Sequence, residues 1–449
     1  MSILNTSPSK ILKSPPLGWN SWDCFGASIT EEELLQNAEY VQEHLLSHGF
    51  EYITLDIQWS EPLAHSWDYN AYTPLTLDAY GRQLPAENRF PSAKAGQGLL
   101  PIANKTHAMG LKFGVHLMRG IPRQAVHSNL PILGTDYTAR DAVHRQSICA
   151  WNTDMYGLNH EHPAAQAYYD SVFDLFATWE VDYVKVDDIA WNFMHEGHYH
   201  AKEVEMIHRA IEKSGRQMVL SLSPGPAVLS AHTHMEKYAN CWRITDDFWD
   251  DWSLVLRAFT ASEAWQGMSG HGAWPDCDML PFGRLRMRHI GPDGQAGENH
   301  HLDDKETFAV YALWCLMRSP LILGGHLPES DPRLLTLYKN EALLAWNQEG
   351  GPSYLLSNPG ADVMVWTQEK PSSSKTKAIP LLFINRSEKD LTYACDEAIL
   401  LIKKLYEQES DDYTVEKIMP EAAVSVLDPV ENHSILKPHE AHAYNIVFN

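Results

Sequence analysis

The sequence predicts a (β/α)8 TIM barrel followed by a small antiparallel β-sandwich. Short apolar stretches alternate with amphipathic helical stretches over the first three quarters of the chain, and such an alternation is typical of a parallel sheet. Eight candidate strands precede residue 326, which is the number that closes a barrel. After residue 345 the pattern changes to short strands, with no helical stretch between most of them.

The eight predicted barrel strands are apolar enough to be buried on both faces, as parallel strands covered by helices are. No glycine-rich fingerprint of a dinucleotide-binding fold follows the first strand, which favours a closed barrel over an open doubly wound sheet. The predicted strands are 16–22, 52–56, 111–118, 183–187, 218–223, 242–247, 274–280 and 320–325.

The predicted helices carry recognisable start and stop signals. Thr30 and Glu33 have the spacing of a capping box, and Gly49 marks a helix end. Pro163 suits the first position of a second helix, where its missing N–H costs nothing. The predicted helices are 30–48, 163–180, 201–214 and 332–345.

The C-terminal part, residues 346–449, is predicted to form the sandwich, and residues 1–345 the catalytic barrel. The segments SYLLSN, DVMVWTQE, IPLLFINRS and HAYNIVFN are typical of short strands. The segment KPSSSKTK (370–377) is predicted to be a solvated hairpin loop.

Composition excludes several classes of partner. The formal net charge of −23 over 449 residues argues against binding to nucleic acid or to an anionic membrane surface. No apolar run is long enough for a transmembrane helix, and the N-terminal segment lacks the features of a signal peptide. The six cysteines form no C-x-x-C pair, which fits reduced thiols in a cytoplasmic protein. The sequence leaves open whether the chain forms a homo-oligomer.

The segment DYVKVDDIAW (182–191) points to a functional site. It places Lys185 inside an apolar strand and two adjacent aspartates, Asp187 and Asp188, at the end of that strand. A helix N-cap would explain one aspartate, but neither the second one nor the lysine.

Other polar and aromatic residues stand at the carboxyl ends of the predicted strands, where barrel enzymes have their active sites. For any single one of these aspartates, a role as a helix N-cap is about as good an explanation as a role in a functional site. Four aspartates on one rim, however, favour a functional site. Carboxylates bind vicinal hydroxyls and an indole ring stacks on a sugar, so this set suits a carbohydrate. The candidates are Trp22, Asp56, His116, Lys185, Asp187, Ser223, Arg243, Asp247 and Asp278.

Four motifs resemble the α-galactosidase (melibiase) family, glycoside hydrolase family 27. They are LGWNSW (17–22), YVKVD (183–187), WRITDDFWDDW (242–252) and DCDML (276–280), and they follow one another in the family's order. The resemblance implies a retaining exo-glycosidase that works by double displacement, with a small oligosaccharide or glycoside as substrate and without metal or cofactor. Such chemistry needs two carboxyl groups about 5–5.5 Å apart.

The resemblance also implies roles for single residues. Asp187 is the nucleophile, which Lys185 keeps ionised, and Asp188 is a cap or supporting residue. Asp247 is the acid/base, with Asp246 as the nearest rival because a gap of one residue would shift the role. The implied sugar contacts are Trp22, Asp56, Lys185, Arg243 and Asp278.

The chain departs from the family pattern at several positions. Ile57 stands where the family has a second aspartate, and Gln58 and Ile189 stand where it often has cysteines. Because the missing aspartate serves outer hydroxyls including that at C6, Ile57 predicts a preference for β-L-arabinopyranosides over α-D-galactopyranosides. Ser223 stands where some members have a glutamate that contacts the 2-hydroxyl and others have a serine that admits a 2-acetamido group, so an α-N-acetylgalactosaminidase stays possible.

Two hypotheses of other classes remain from the sequence. One is a metal-dependent barrel hydrolase or isomerase with Asp and His ligands. The other is a sugar-binding relative without activity, which the presence of both catalytic aspartates disfavours. The run HEGHYH (195–200) has no further ligand at suitable spacing and is predicted to be a solvated loop.

Overall fold

The computed structural model describes residues 11–191, 199–270, 272–291, 294–369, 378–408, 410, 412–421, 424–427 and 434–448. Its first part is a barrel of eight parallel strands. In chain order these are β1 (Leu17–Asn20), β2 (Phe50–Leu55), β3 (Lys112–Met118), β4 (Tyr183–Asp187), β5 (Val219–Leu222), β6 (Cys241–Arg243), β7 (Trp274–Asp276) and β8 (Leu321–Leu323).

Each strand of the barrel pairs with its sequence neighbour, and β1 pairs with β8. Closure between β7 and β8 runs through Leu280, which forms a parallel bridge with Leu323. The Leu280 N–H donates to Ile322 O at 2.8 Å and its carbonyl accepts from Gly324 N at 2.9 Å. The predicted barrel is therefore confirmed.

Helices follow the strands and cover the barrel. Two of the predicted helix start signals are confirmed. Thr30 and Glu33 form both halves of the capping box, and Pro163 occupies a first-turn position of its helix. The predicted helix 332–345 is two helices, because Asn340 caps the second one. The helices are Glu31–His44, Leu100–Ala108, Pro163–Thr178, Ala201–Ser214, His232–Tyr238, Trp252–Ala264, Asp304–Met317, Pro332–Tyr338 and Glu341–Glu349.

Additional small elements lie in the connections at the carboxyl ends of the strands. A three-stranded sheet lies between β3 and β4, and a two-stranded hairpin lies between β7 and β8. The strands are Ile121–Pro122, Val143–Ile148, Met155–Leu158, Arg284–Ile290 and Ala296–Asn299, and the short helices are Trp22–Phe25, Arg123–Ser128 and Ala139–Ala142. Single 3₁₀ turns are Gly26–Ser28, Leu46–His48, Pro91–Ala93, Leu229–Ala231 and Leu327–Glu329.

The C-terminal part is an antiparallel β domain, as predicted, but one layer contains a helix that the sequence analysis missed. The six-stranded sheet has the order Ser353–Leu355, Val363–Gln368, Ala378–Asn385, Ala441–Phe448, Tyr413–Ile418 and Val424–Leu427. A ribbon of Leu391–Tyr393 with Ser434–Leu436 and the helix Cys395–Leu405 complete the domain. Residues 370–377, predicted as a loop, lie outside the described residues.

The strand Ala378–Asn385 shows how this sheet joins the two parts of the chain. Leu381 and Phe383 pack in one cluster with Ile402 of the extra helix. Leu382 and Ile384 point the other way and belong to the main hydrophobic core of the barrel. Alternation of side chains along a strand explains why both faces are apolar. The domain boundary at residues 345 and 346 stays a prediction, and the helix Glu341–Glu349 runs across it.

Several barrel strands are shorter than predicted, with a consequence for the site. The strand predicted over 242–247 ends at Arg243, and the one predicted over 274–280 ends at Asp276. Asp247 and Asp278 therefore lie in loops beyond the strands. Within the described part of the chain, no helix has the length and hydropathy needed to cross a membrane.

Candidate active site

A cavity of about 290 Å³ lies at the carboxyl ends of the barrel strands. It brings together eight of the nine predicted site residues, and also Ile57 and Asp246. His116, the ninth, lies beneath the cavity in contact with Asp187. The predicted residues that line the cavity are Trp22, Asp56, Lys185, Asp187, Ser223, Arg243, Asp247 and Asp278.

Asp187, the last residue of β4, is a buried carboxylate between two nitrogen donors. His116 Nε2 lies 2.8 Å and Lys185 Nζ 3.8 Å from its Oδ2 atom. Burial by itself would raise the pKa of Asp187, but Lys185, His116 and the Ser223 hydroxyl together hold that pKa well below its usual range. Asp187 is therefore an ionised carboxylate at any pH near neutral, as a nucleophile must be.

Asp56 forms the other half of the same charge cluster. Its Oδ2 accepts from Lys185 Nζ at 2.9 Å and from Asn20 Nδ2 at 2.7 Å, and its Oδ1 accepts from the Ile57 N–H at 2.8 Å. Burial opposes the charge of Asp56, but Lys185 and His116 lower its pKa. One ammonium group thus serves two buried carboxylates.

A metal ion could be held by Asp56, His116 and Asp187, as the metal-dependent hypothesis requires. One potential ligand atom of each lies within 4.8 Å of the others. The Lys185 ammonium group, however, contacts both carboxylates and places a positive charge where the metal ion would have to bind. The donor set therefore fits a lysine-neutralised anion cluster better than a metal centre. Most of the run HEGHYH, residues 195–198, lies outside the described residues.

The second carboxylate group has a different setting. The Asp247 side chain is 66% exposed and lies in the loop after β6, with its Oδ1 atom 3.3 Å from Arg243 Nη2. Arg243 is buried and its Nη2 atom also contacts Asp278 Oδ2 at 2.6 Å. Burial raises the pKa of Asp278 although Arg243 opposes this rise. Asp246 also lines the cavity, and its Oδ1 accepts from the Asp247 N–H at 2.9 Å.

A chain of aromatic rings borders the cavity. The order is Trp151, Tyr69, Trp22, Trp67 and Trp249, with neighbouring ring centroids 5.6, 5.7, 4.8 and 5.4 Å apart. All but Trp67 line the cavity, and all five are partly exposed. Such a border provides flat apolar faces for the C–H side of a sugar ring.

Ile57 lies in an apolar part of the cavity wall. It is 5% exposed and packs in one buried cluster with Met118, Cys149 and Met155. Next to Asp56 the cavity wall therefore presents the hydrocarbon side chain of Ile57 where the resemblance would place a carboxylate.

The second aspartate of the DYVKVDDIAW segment has a structural role. Asp188 Oδ2 accepts from Arg119 Nη2 at 2.6 Å, and Arg119 Nη1 also donates to Glu203 Oε1 at 2.7 Å. Arg119 contacts the backbone around the nucleophile too, because its N–H donates to Asp187 O and its Nε donates to Asp188 O. Asp188, at a φ of +58°, is thus part of a buried support behind Asp187.

Sequence reasoning missed several residues of the cavity. Tyr69 and Trp151 lie in long connections without helical or strand periodicity, so no pattern could place them. Trp249 stands two residues after Asp247, within the motif WRITDDFWDDW (242–252). The other missed residues are Asp23, Ala150, Pro224, Phe248 and Met279.

Together, a (β/α)8 barrel and a cavity with a buried ionised carboxylate, an exposed carboxylate and indole rings define a glycoside hydrolase. The model of the protein family Melibiase_2, which is described as Alpha galactosidase A, matches residues 152–349. The chain belongs to glycoside hydrolase family 27, the α-galactosidase family.

Relatives of known structure cover nearly the whole chain. A GH27 β-L-arabinopyranosidase from Geobacillus stearothermophilus is 42% identical with a TM-score of 0.89, covering 98% of both chains. A Bacillus halodurans protein with a suggested α-N-acetylgalactosaminidase activity is 41% identical with a TM-score of 0.81, covering 97% of both chains. Alpha-galactosidase 2 of Arabidopsis thaliana is 25% identical over 82% of this chain and 75% of its own length.

Proposed function

We propose that the protein is a retaining exo-glycosidase that releases terminal β-L-arabinopyranosyl groups and acts less well on α-D-galactopyranosides. The position of Ile57 in the cavity wall carries this proposal. The similarity to the Geobacillus β-L-arabinopyranosidase supports it.

The two sugars differ only in the group that we expect to lie next to Ile57. β-L-arabinopyranose has the ring stereochemistry of α-D-galactopyranose but lacks the hydroxymethyl group, C6 with its hydroxyl, on C5. Beside Ile57, which Met118 and Met155 pack against, a 6-hydroxyl would face an apolar wall instead of a second carboxylate. The neighbouring loop adds Ala150 and Trp151 to the cavity, which supply no carboxylate either. An unpaired buried hydroxyl costs about 1–3 kcal/mol, or roughly a tenfold to hundredfold preference.

Double displacement assigns complementary tasks to the two carboxyl groups. Asp187 attacks the anomeric carbon, and the ionised state that Lys185 and His116 favour suits this task. Asp247 first protonates the leaving oxygen and then deprotonates the water that releases the sugar. Its exposure allows the proton to exchange with solvent.

The Ile57→Asp variant tests the choice of sugar. We expect kcat/KM to rise for 4-nitrophenyl α-D-galactopyranoside and to fall for the β-L-arabinopyranoside, changing their ratio by roughly tenfold to hundredfold. Ile57→Val, which keeps the wall apolar, is the matched control and should leave the ratio nearly unchanged. An unaltered ratio in Ile57→Asp, or a wild-type preference for the galactoside, would overturn the assignment.

An α-N-acetylgalactosaminidase is the second candidate, and Ser223 favours it. This serine lines the cavity next to Asp187, where a small side chain leaves room for a 2-acetamido group. The Bacillus halodurans relative supports the same activity. The 2-acetamido-2-deoxy-α-D-galactoside belongs in the substrate panel, measured with and without EDTA. Highest activity on it would replace the arabinoside assignment, and inactivation by EDTA would revive the metal hypothesis.

We also propose that the protein works in the cytoplasm on small oligosaccharides or glycosides. All six cysteines are unpaired thiols, which supports a reducing environment. We therefore expect the thermal midpoint to be the same with and without dithiothreitol. A decrease of many degrees would contradict this, because loss of a native disulfide costs about 2–5 kcal/mol.

A further inference from the structure

Asp23 is a buried carboxyl group in the cavity wall that no sequence motif predicted. It follows Trp22 in the short helix Trp22–Phe25 and is 1% exposed. No described residue hydrogen-bonds to its Oδ2 atom. Because buried polar atoms of folded proteins are nearly always hydrogen-bonded, this carboxyl group requires an explanation.

The barrel is shaped to accommodate this carboxyl group. Gly324 follows β8, and a Cβ atom at this position would lie 2.0 Å from Asp23 Oδ2 and 2.7 Å from Asp23 Cγ. The Gly324 backbone is fixed by its hydrogen bond to Leu280 O, which closes the barrel. Any larger residue at 324 would displace the carboxyl group, so its location depends on the glycine.

The surroundings of Asp23 favour its protonated form. Burial is the main cause that raises its pKa well above the usual range, and Asp278 is the next, while Lys185 partly opposes them. A protonated carboxyl group can donate one hydrogen bond and accept others. The charged or titratable groups that act on it are Asp278, Lys185, Asp56, Asp247, Arg286 and Cys24.

We propose that Asp23 is a further substrate-binding residue, whose carboxyl group hydrogen-bonds a ring hydroxyl of the sugar that stacks on Trp22. This inference rests on the proposed function, because it requires a glycoside in the cavity. The sugar then supplies the hydrogen-bond partner that the protein does not. A binding site commonly keeps such a polar group at a cost in stability, since it is satisfied only in the complex.

The kinetic test uses Asp23→Ala with 4-nitrophenyl β-L-arabinopyranoside and its 2-, 3- and 4-deoxy analogues. We expect a roughly tenfold to hundredfold loss of kcat/KM on the parent substrate, mainly through KM. For one deoxy analogue, wild type and variant should differ little, because the hydroxyl that Asp23 binds is already absent. Asp23→Asn should restore part of the loss. An equal loss on all four substrates would overturn the inference.

Stability provides a second measurement, in which a structural role predicts the opposite sign. The folded wild type keeps a proton on Asp23 that the unfolded chain releases above its ordinary pKa, so this group makes the protein less stable as pH rises. Asp23→Ala removes that dependence, and its thermal midpoint relative to wild type should increase with pH, by about 1–3 °C near neutrality. Asp250→Ala is the control, because it removes a buried aspartate whose pKa is lowered by Arg286 against the effect of burial, and it should lower the midpoint. A lower midpoint for Asp23→Ala at every pH, without an upward trend, would contradict the inference.

Gly324→Ala provides an independent route to the same result. Its methyl group should displace the carboxyl group and reproduce the Asp23→Ala pattern on the deoxy substrates. In the Asp23→Ala background it should have little further effect. If wild type cleaves none of the three glycosides in the panel, the proposed function fails. If wild type is active but the Asp23 and Gly324 variants keep normal KM values, only this inference fails.

Discussion

Asp187 and Asp247, the two carboxyl groups to which we assign the chemistry, have opposite surroundings. Asp187 ends a barrel strand, is buried, and contacts His116 and Lys185. Asp247 lies in a loop, with its side chain 66% exposed, and Arg243 is 3.3 Å away. The difference suits the tasks that we propose for them, because a nucleophile has to be ionised when it attacks, whereas an acid/base has to exchange protons in each cycle.

The surroundings of Asp187 follow from the register of the barrel. In the parallel pairing of β3 and β4, His116 is the partner of Lys185, and Met118 is the partner of Asp187. Alternation along the strand then directs Lys185 and Asp187 to the same side. The backbone hydrogen bonds between β3 and β4 thus position His116, Lys185 and Asp187 relative to one another.

Replacement of Asp187 should have the largest effect. We expect Asp187→Ala to lose roughly 10⁴–10⁶-fold in kcat, as removal of a covalent nucleophile does in other enzymes. Azide should restore activity and yield the glycosyl azide of inverted anomeric configuration, since it attacks from the side of the missing carboxylate.

Asp188→Ala is the matched control for this experiment. It removes the adjacent carboxylate, which pairs with Arg119 behind the site. This variant should lose stability, because Arg119 is left buried without one of its partners. Azide should not restore its activity. Rescue of Asp188→Ala rather than Asp187→Ala would show that the roles are exchanged.

Asp247→Ala should have the second largest effect, and one that depends on the leaving group. Loss of general acid catalysis costs about 10²–10⁴-fold on alkyl or sugar leaving groups. Substrates with 2,4-dinitrophenolate as leaving group need no protonation and should react at near wild-type first-step rates. Azide should here give a product of retained configuration. If Asp246→Ala shows this pattern and Asp247→Ala does not, the acid/base is Asp246.

This last ambiguity shows where sequence reasoning reaches its limit. The buried strands were predictable because apolar runs and helix caps repeat in a fixed order, and the motif YVKVD coincides with β4 residue for residue. The loop after β6 has no such periodicity, so the sequence could not choose between Asp246 and Asp247. Both line the cavity, and the contact with Arg243 favours Asp247.

Other parts of the molecule could not be predicted either, and two of them lie in long connections without helical or strand periodicity. Tyr69 and Trp151 reach the cavity from segments far from any predicted strand end. The helix Cys395–Leu405 was missed in a region that the short strands had marked as purely β. Asp23 was missed because its importance depends on Gly324, 301 positions later, which only the closed barrel brings next to it.

The smallest effect, a shift along the pH axis, tests why the two carboxylates differ. Lys185→Met removes the cation that does most to lower the pKa of Asp187, so that only His116 and Ser223 would still oppose the effect of burial. Loss of a close opposite charge raises a carboxyl pKa by about 1–3 units. Because the nucleophile must be ionised, the acidic limb of the kcat/KM profile should move to higher pH by a similar amount.

The free energy of unfolding supplies an independent check with a definite sign. In wild type the pKa of Asp187 lies below its unfolded value, so its charge stabilises the fold above that value and the benefit disappears as pH falls. In Lys185→Met the pKa of Asp187 moves back towards its unfolded value, so this loss of stability at low pH should become smaller. Lys112→Met removes an equal charge from β3, where Lys112 pairs with Glu51, and should move neither the acidic limb nor this trend. An acidic limb that stays in place in Lys185→Met would mean that His116 and Ser223 suffice to keep the nucleophile ionised.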